Sequence, residues 1–112
     1  MNREMQRRLK ARGWSVGTAT DFLNLTPEEE RLVELRLALC HAVKERRKKE
    51  KIPQEELAER MKTSQSRIAK IESCDSHVST DMMFNAYFAL GASLRDASRI
   101  IAAAARKEEI IL

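Results

Sequence analysis

The chain holds little of what sheets and tight turns require. Three glycines and two prolines in 112 residues leave too few turn residues for repeated hairpins or meanders. Aromatic residues make up 4% of the chain, too few to fill a β-sandwich core. Cysteine is scarce as well: Cys40 and Cys74 stand alone, with no CxxC motif, and are read as reduced and unpaired. No stretch approaches the ~18 consecutive apolar residues of a membrane span. The first twelve residues, MNREMQRRLKAR, contain no apolar run to serve as a signal-peptide core. The expectation is a soluble, cytoplasmic protein with no membrane partner.

What is present is 43% hydrophobic and 34% charged residues, the composition of one small helical domain. Basic residues outnumber acidic ones by 21 to 17, for a net charge of +4, a mild bias toward a polyanionic partner. The bias is local. Residues 1–13 carry +4, residues 14–43 carry −3, residues 44–51 carry +4, residues 52–72 carry 0 and the remainder carries −1.

Enzyme signatures are missing: there is no phosphate loop, no nucleophile elbow and no pair of carboxylates in a glycine-rich setting. Cys74-x-x-His77 lacks an orienting third group. Cys40-His41 together with that pair supplies four zinc-type ligands. Adjacent helical residues point about 100° apart, however, so Cys40 and His41 cannot easily share an ion. Cys40 is read as a small core residue, and no catalytic group, metal or cofactor is expected.

Along the chain, residues 2–12 are helix-prone and Gly13 is placed as a stop. Trp14, Val16, Phe22, Leu23 and Leu25 would be wasted in a free tail, so residues 1–26 are read as an arm packed on the main domain or on a second subunit. Thr26-Pro27-Glu28-Glu29 begins a helix: threonine caps, proline suits the first helical position and Glu29 completes a capping box. That helix is predicted to run to about Glu50. Leu32, Leu35, Leu39 and Ala42 form one apolar stripe, with Val33, Leu37 and Cys40 beside it. Shorter helices follow, from Gln54 to Lys62 and from Gln65 to about Ser73. A fourth, apolar nearly all round and read as central, is capped by Ser79 and runs to Leu90, with its methionines and aromatics assigned to the core. Gly91 stops it. A last helix carries Leu94, Ala97, Ile101 and Ala104.

The informative stretch is Gln54 to Glu72, QEELAERMKTSQSRIAKIE. Two short helices are joined by a turn of about three residues. Leu57, Met61, Ile68 and Ile71 face inward, and Ala58 stands where the helix axes approach. A helix docked by an apolar back can place its polar N-terminal residues in the major groove of DNA, which admits one α-helix. Gln65, Ser66, Arg67 and Lys70 are the residues turned away from Ile68 and Ile71. Glutamine can bond bidentately to adenine and arginine to guanine.

This order and spacing resemble the helix-turn-helix of the phage-repressor and Cro family, over roughly residues 35–92. The resemblance implies an all-α, lambda-repressor-like bundle of about five helices, with residues 1–26 as the arm, 27–92 as the domain and 93–112 as a C-terminal helix and apolar tail. It puts Gln65, Ser66 and Lys70 at base-reading positions, with Arg67 next in line, for bases or the phosphate. It puts Gln54 where a glutamine clamps a backbone phosphate, and Arg47 and Glu72 where a structural ion pair joins two helices. Ser64, Lys48, Lys49, Lys51 and Lys62 are assigned to phosphate. The remaining basic residues of 44–51 are expected to flank the DNA backbone too.

The sequence departs from the family pattern at Lys62 and Cys74, which replace usual glycines, and at Pro53, which replaces a usual capping residue. The function implied is a sequence-specific repressor that binds a pseudo-palindrome in double-stranded DNA as a homodimer. The last helix with its apolar end and the arm around Trp14 are the expected dimer surfaces. The short chain also resembles antitoxins of Hig-type toxin-antitoxin pairs, which implies a second possible partner, a small ribonuclease toxin.

Overall fold

The computed structural model describes residues 25–111, with side chains up to Arg106, so residues 1–24 of the arm expected over residues 1–26 and the side chains of the apolar tail lie outside the described part. Among the described residues five helices follow one another: α1 (Pro27–Lys49), α2 (Gln54–Met61), α3 (Gln65–Glu72), α4 (Thr80–Ala89) and α5 (Leu94–Ile111). No strand occurs among the described residues. α1 is the spine, against which α3, α4 and α5 all pack, while α2 packs on α3 and α4.

Each helix starts on a side-chain cap wherever the sequence supplies one. Thr26 Oγ1 accepts from the Glu29 amide at 3.1 Å and donates to the Glu29 carboxylate at 3.1 Å. Ser64, Ser79 and Ser93 accept from the amides of Arg67, Met82 and Asp96 in the same way, at 3.2, 3.1 and 3.1 Å. Each such bond satisfies one of the amides that a helix start leaves without an internal partner. Pro53, before α2, provides no side-chain cap.

The first four helices all end alike. A residue with positive φ follows the helix, and the next amide reaches back five residues, as in a Schellman stop. Ile52 N bonds Arg47 O, Thr63 N bonds Ala58 O, Asp75 N bonds Lys70 O and Ala92 N bonds Tyr87 O, at 3.0, 2.9, 3.0 and 3.4 Å. The left-handed residues at these stops are Lys51 (φ 58°), Lys62 (φ 55°), Cys74 (φ 59°) and Gly91 (φ 91°). Glycine, which pays no steric penalty in this region, thus occupies one stop of four.

The core is made of Leu37, Leu39, Cys40, Val43, Leu57, Ile68, Ile71, Cys74 and Met83, all essentially inaccessible. Both cysteines are buried within it, with Cys40 Sγ 3.3 Å from Leu37 O and Cys74 Sγ 3.5 Å from Arg36 O. The arrangement is the five-helix, lambda-repressor-like bundle that the resemblance implies.

The packing shows which side of each helix is inner, and for α4, expected to be central, it corrects the expectation. The stripe on α1 is buried at Leu39 and Ala42 but opens at its start, where Leu32 is 48% exposed. α4 buries Met83, Ala86, Tyr87 and Leu90, while Met82 and Phe84 are half-buried and Phe88, stacked on Phe84 at 6.0 Å, is exposed. It lies against the bundle with one face in solvent, because α1 and α2 cover only part of its circumference. On α5 the inward residues are Ala97, Ile100 and Ala104, whereas Leu94 and Ile101 turn outward. The register is set by α1, which touches α5 along one line of the helix.

Candidate nucleic-acid interface

α2 and α3 form a two-helix unit whose inner surface is closed by Leu57, Ala58, Ile68 and Ile71. The three-residue turn 62–64 carries one left-handed residue, Lys62, and the cap, Ser64. α3 is eight residues long, so fixing its apolar back at Ile68 and Ile71 fixes the direction of every other side chain. Gln65, Ser66, Arg67 and Lys70 are all exposed on its outer side. Ser66 Oγ lies 3.1 Å from the capping hydroxyl of Ser64.

Beneath this outer face runs a chain of hydrogen bonds. Gln65 Nε2 donates to Gln54 Oε1 at 2.6 Å, and Gln54 Nε2 donates to Glu72 Oε1 at 3.1 Å. Arg47 Nη2 donates to the same Glu72 oxygen at 2.9 Å, and its Nε donates to the other. The remaining Arg47 amino group donates to Ile52 O at 2.9 Å. The Glu72 side chain is 4% exposed and that of Arg47 is 13% exposed. A buried carboxylate with this fork opposite it keeps the guanidinium charged, and the hydrogen bond to Glu72 raises the Arg47 pKa further. The first residue of α3 is therefore tied, through the first residue of α2, to the end of α3 and the last turn of α1. Nothing in residue spacing announces the Gln54–Gln65 contact, which exists only once the two helices cross.

The basic residues divide into two groups. Lys44, Lys48, Lys49, Lys51 and Lys62 are exposed, and the last two sit at left-handed helix stops. Arg46 is not available to flank DNA as expected. Its Nε donates to Leu90 O at 3.4 Å and pairs with Glu50 at 3.3 Å, and Nη1 donates to Asp96 at 3.3 Å. Its guanidinium also lies 5.7 Å from the centre of the Tyr87 ring. The cause is helical geometry: Arg46 continues the 39–42 stripe toward α4 and α5, while Arg47 turns about 100° away toward α3. A run of charge does not reveal which side of the helix each member occupies.

Arg36 and Arg60 play similar internal parts. Arg36 donates to Asp75 O at 3.2 Å and to Thr80 Oγ1 at 3.5 Å, pinning the loop that follows α3. Arg60 donates to Ala89 O at 3.2 Å, at the end of α4. In that same loop Asp75 accepts from the His77 amide at 2.8 Å, which holds its carboxyl below the ordinary aspartate value.

No helix among the described residues is long and apolar enough to cross a membrane. Residues 43–85 match a family model described as helix-turn-helix, a segment that runs from the end of α1 through α2 and α3 into α4. No curated protein and no solved structure gives a match to the chain. The match covers the helix-turn-helix segment alone, and with the helical bundle around it supports a DNA-binding regulator of transcription in general.

Proposed function

We propose that the protein is a sequence-specific repressor that binds a pseudo-palindromic operator as two copies. In this reading α3 enters the major groove, Gln65, Ser66, Arg67 and Lys70 face the base edges, and Gln54, Ser64, Lys48, Lys49, Lys51 and Lys62 face phosphates. The observation that carries it is the division of α3 into two faces: Ile68 and Ile71 fully buried, and four exposed hydrogen-bonding side chains opposite. Gln54 supports the phosphate role, since it opens a helix whose preceding proline supplies no side-chain cap and leaves first-turn amides for an anion. Arg47 and Glu72 hold the unit together and stay off the DNA. Residues 27–92 are the DNA-binding domain in this reading, with residues 93–112 as the element that joins copies.

Two reading helices on one face of DNA stand one helical turn apart, about 34 Å, which sets the half-site spacing. The test is a salt-titrated footprint on the DNA upstream of the gene. Gln65→Ala and Arg67→Ala are expected to lose sequence preference, each costing about 1–3 kcal/mol at its own base pair. Lys48→Ala is expected to weaken all sequences alike and lower the salt slope by about 1. Unchanged footprints in the first two variants would remove α3 from the role of reader. In the antitoxin form of this reading the chain also holds a small ribonuclease, which would co-purify from an adjacent gene.

A further inference from the structure

The chain has two cysteines, and the fold brings both to one turn of α1. They are 34 residues apart in sequence, and neither has a part in the interface described above. Cys40 sits within α1, where its amide bonds the carbonyl oxygen of Arg36, four residues back. Cys74 stands at the stop after α3, and its thiol donates to that same Arg36 oxygen at 3.5 Å. The Cys40 thiol donates to the next oxygen along, that of Leu37, at 3.3 Å. Consecutive carbonyl oxygens of a helix are about 3.5 Å apart, so the two sulfurs hang from neighbouring points of one turn. Both residues are shut off from solvent, at 0% and 1% exposure. Cys74 also holds φ at 59°, a conformation in which glycine would be relaxed and would carry no side chain to reach α1.

We propose that Cys40 and Cys74 are a redox site, at which a peroxide joins the two thiols in a reversible disulfide within the folded domain. Cys74 is the first to react, because it lies at a helix stop beside the exposed Ser73 and Ser76, whereas Cys40 is enclosed in the longest helix. Opening of the loop over residues 73–79 admits hydrogen peroxide. The Cys74 sulfur attacks one peroxide oxygen, the O–O bond breaks, the thiol proton passes to the departing oxygen as water, and Cys74 becomes a sulfenic acid. When the loop recloses, the Cys40 sulfur attacks the sulfenic sulfur. The S–S bond forms, the S–O bond breaks, and the hydroxyl leaves with the Cys40 proton as a second water. Two thiols have then lost two electrons and two protons, and the peroxide has taken up both. α1 is a continuous helix at Cys40, so the movement that pairing requires falls to Cys74 and its loop. The bond closes residues 40–74 into a ring that contains the whole of α2 and α3. Such a ring removes freedom from the unfolded chain and tightens the two-helix unit. Between oxidation events burial keeps the pair inert. The proposal stands whether or not the chain binds DNA.

The test treats the full chain, folded and reduced, with a small excess of hydrogen peroxide and then with dithiothreitol. Intact mass is expected to fall by two hydrogens, and thiols titrated in denaturant to fall from two per chain to none. Digestion without reductant is expected to yield the Cys40 and Cys74 peptides as one linked species. The helical circular dichroism is expected to be kept and Tm to rise by about 5–10 °C, and dithiothreitol to reverse every change. Cys40→Ala and Cys74→Gly are each expected to abolish the loss of hydrogens and the gain in Tm, the remaining thiol taking up oxygen instead. Cys74→Gly relieves the left-handed stop, so it stays folded even where the alanine variant does not. A wild type that takes up oxygen at both thiols, links chain to chain, or keeps both thiols under peroxide overturns the proposal. So does a disulfide whose formation lowers Tm, since that bond belongs to the unfolded chain.

Discussion

Lys62 holds a backbone conformation that favours glycine and a charge that glycine lacks, so one substitution separates the two. At φ 55° and ψ 47° it is fully left-handed, which costs an ordinary residue about 1–2 kcal/mol. Lys62→Gly removes that cost. The greater freedom of glycine in the unfolded chain returns about 0.5–1 kcal/mol of it. The balance is a stabilisation of about 0.5–1 kcal/mol, because Lys62 donates to Glu59 O and Thr63 to Ala58 O through backbone amides that glycine keeps. For a domain of this size that raises Tm by about 2–6 °C. Lys62→Ala is the control: it deletes the charge and retains the strain, so its Tm stays near that of wild type. Thermal unfolding followed by circular dichroism compares the three proteins, and salt-titrated DNA binding compares the charges, with both variants losing about one unit of salt slope. If Lys62→Gly melts no higher than Lys62→Ala, strain at the stop is not limiting stability, and the reasoning from φ fails.

Glu72→Ala leaves the largely buried Arg47 without its counter-charge and is expected to cost about 3 kcal/mol, read as a lower denaturant midpoint at unchanged slope. Ile68→Ala empties a fully buried site and is expected to cost about 3 kcal/mol in the same assay; a loss below about 1 kcal/mol would mean that α3 is not docked by its apolar back. Gln54→Ala and Gln65→Ala are expected to be non-additive in DNA affinity, with a coupling of about 1 kcal/mol, because each side chain orients the other; strictly additive losses would rule out the 2.6 Å contact as a positioning device. Asp96 is held below the ordinary aspartate value, first by the Ser93 amide, then by the Ser93 hydroxyl, Arg46 and Arg99. A carboxyl lowered in the folded state stabilises it above its unfolded pKa, and that contribution is lost as pH falls through the folded value. Asp96→Asn is therefore expected to flatten the loss of stability below about pH 4, and an acid limb identical to wild type would contradict the assignment.

Helix starts were legible because the atoms that make them are adjacent in sequence: Thr26, Ser64, Ser79 and Ser93 each cap the amide three residues on. The two-helix unit was legible for a related reason, since Leu57, Ala58, Ile68 and Ile71 fall at spacings that a helix turns to one side. What escaped is set by the relation between helices. Leu94 and Ile101 share an apolar periodicity with Ala97 and Ala104, and only the line along which α1 meets α5 separates inner from outer. Arg46 reads as one more cation in a basic run until Tyr87, Leu90 and Asp96 arrive from 41 to 50 residues away to surround it. The partners of Gln54 likewise come from α3, so a lone glutamine at a helix start carries no sign of them.

Arg46 and Arg47 are consecutive, and they hold different parts of the bundle: the first bonds the end of α4 and the start of α5, the second bonds the connector before α2 and the end of α3. A single turn of α1 is thus the joint between the C-terminal helix and the helix that faces bases in the proposed function. A displacement of that turn would therefore be felt at once by the C-terminal helix and by the helix that carries Gln65, Ser66, Arg67 and Lys70.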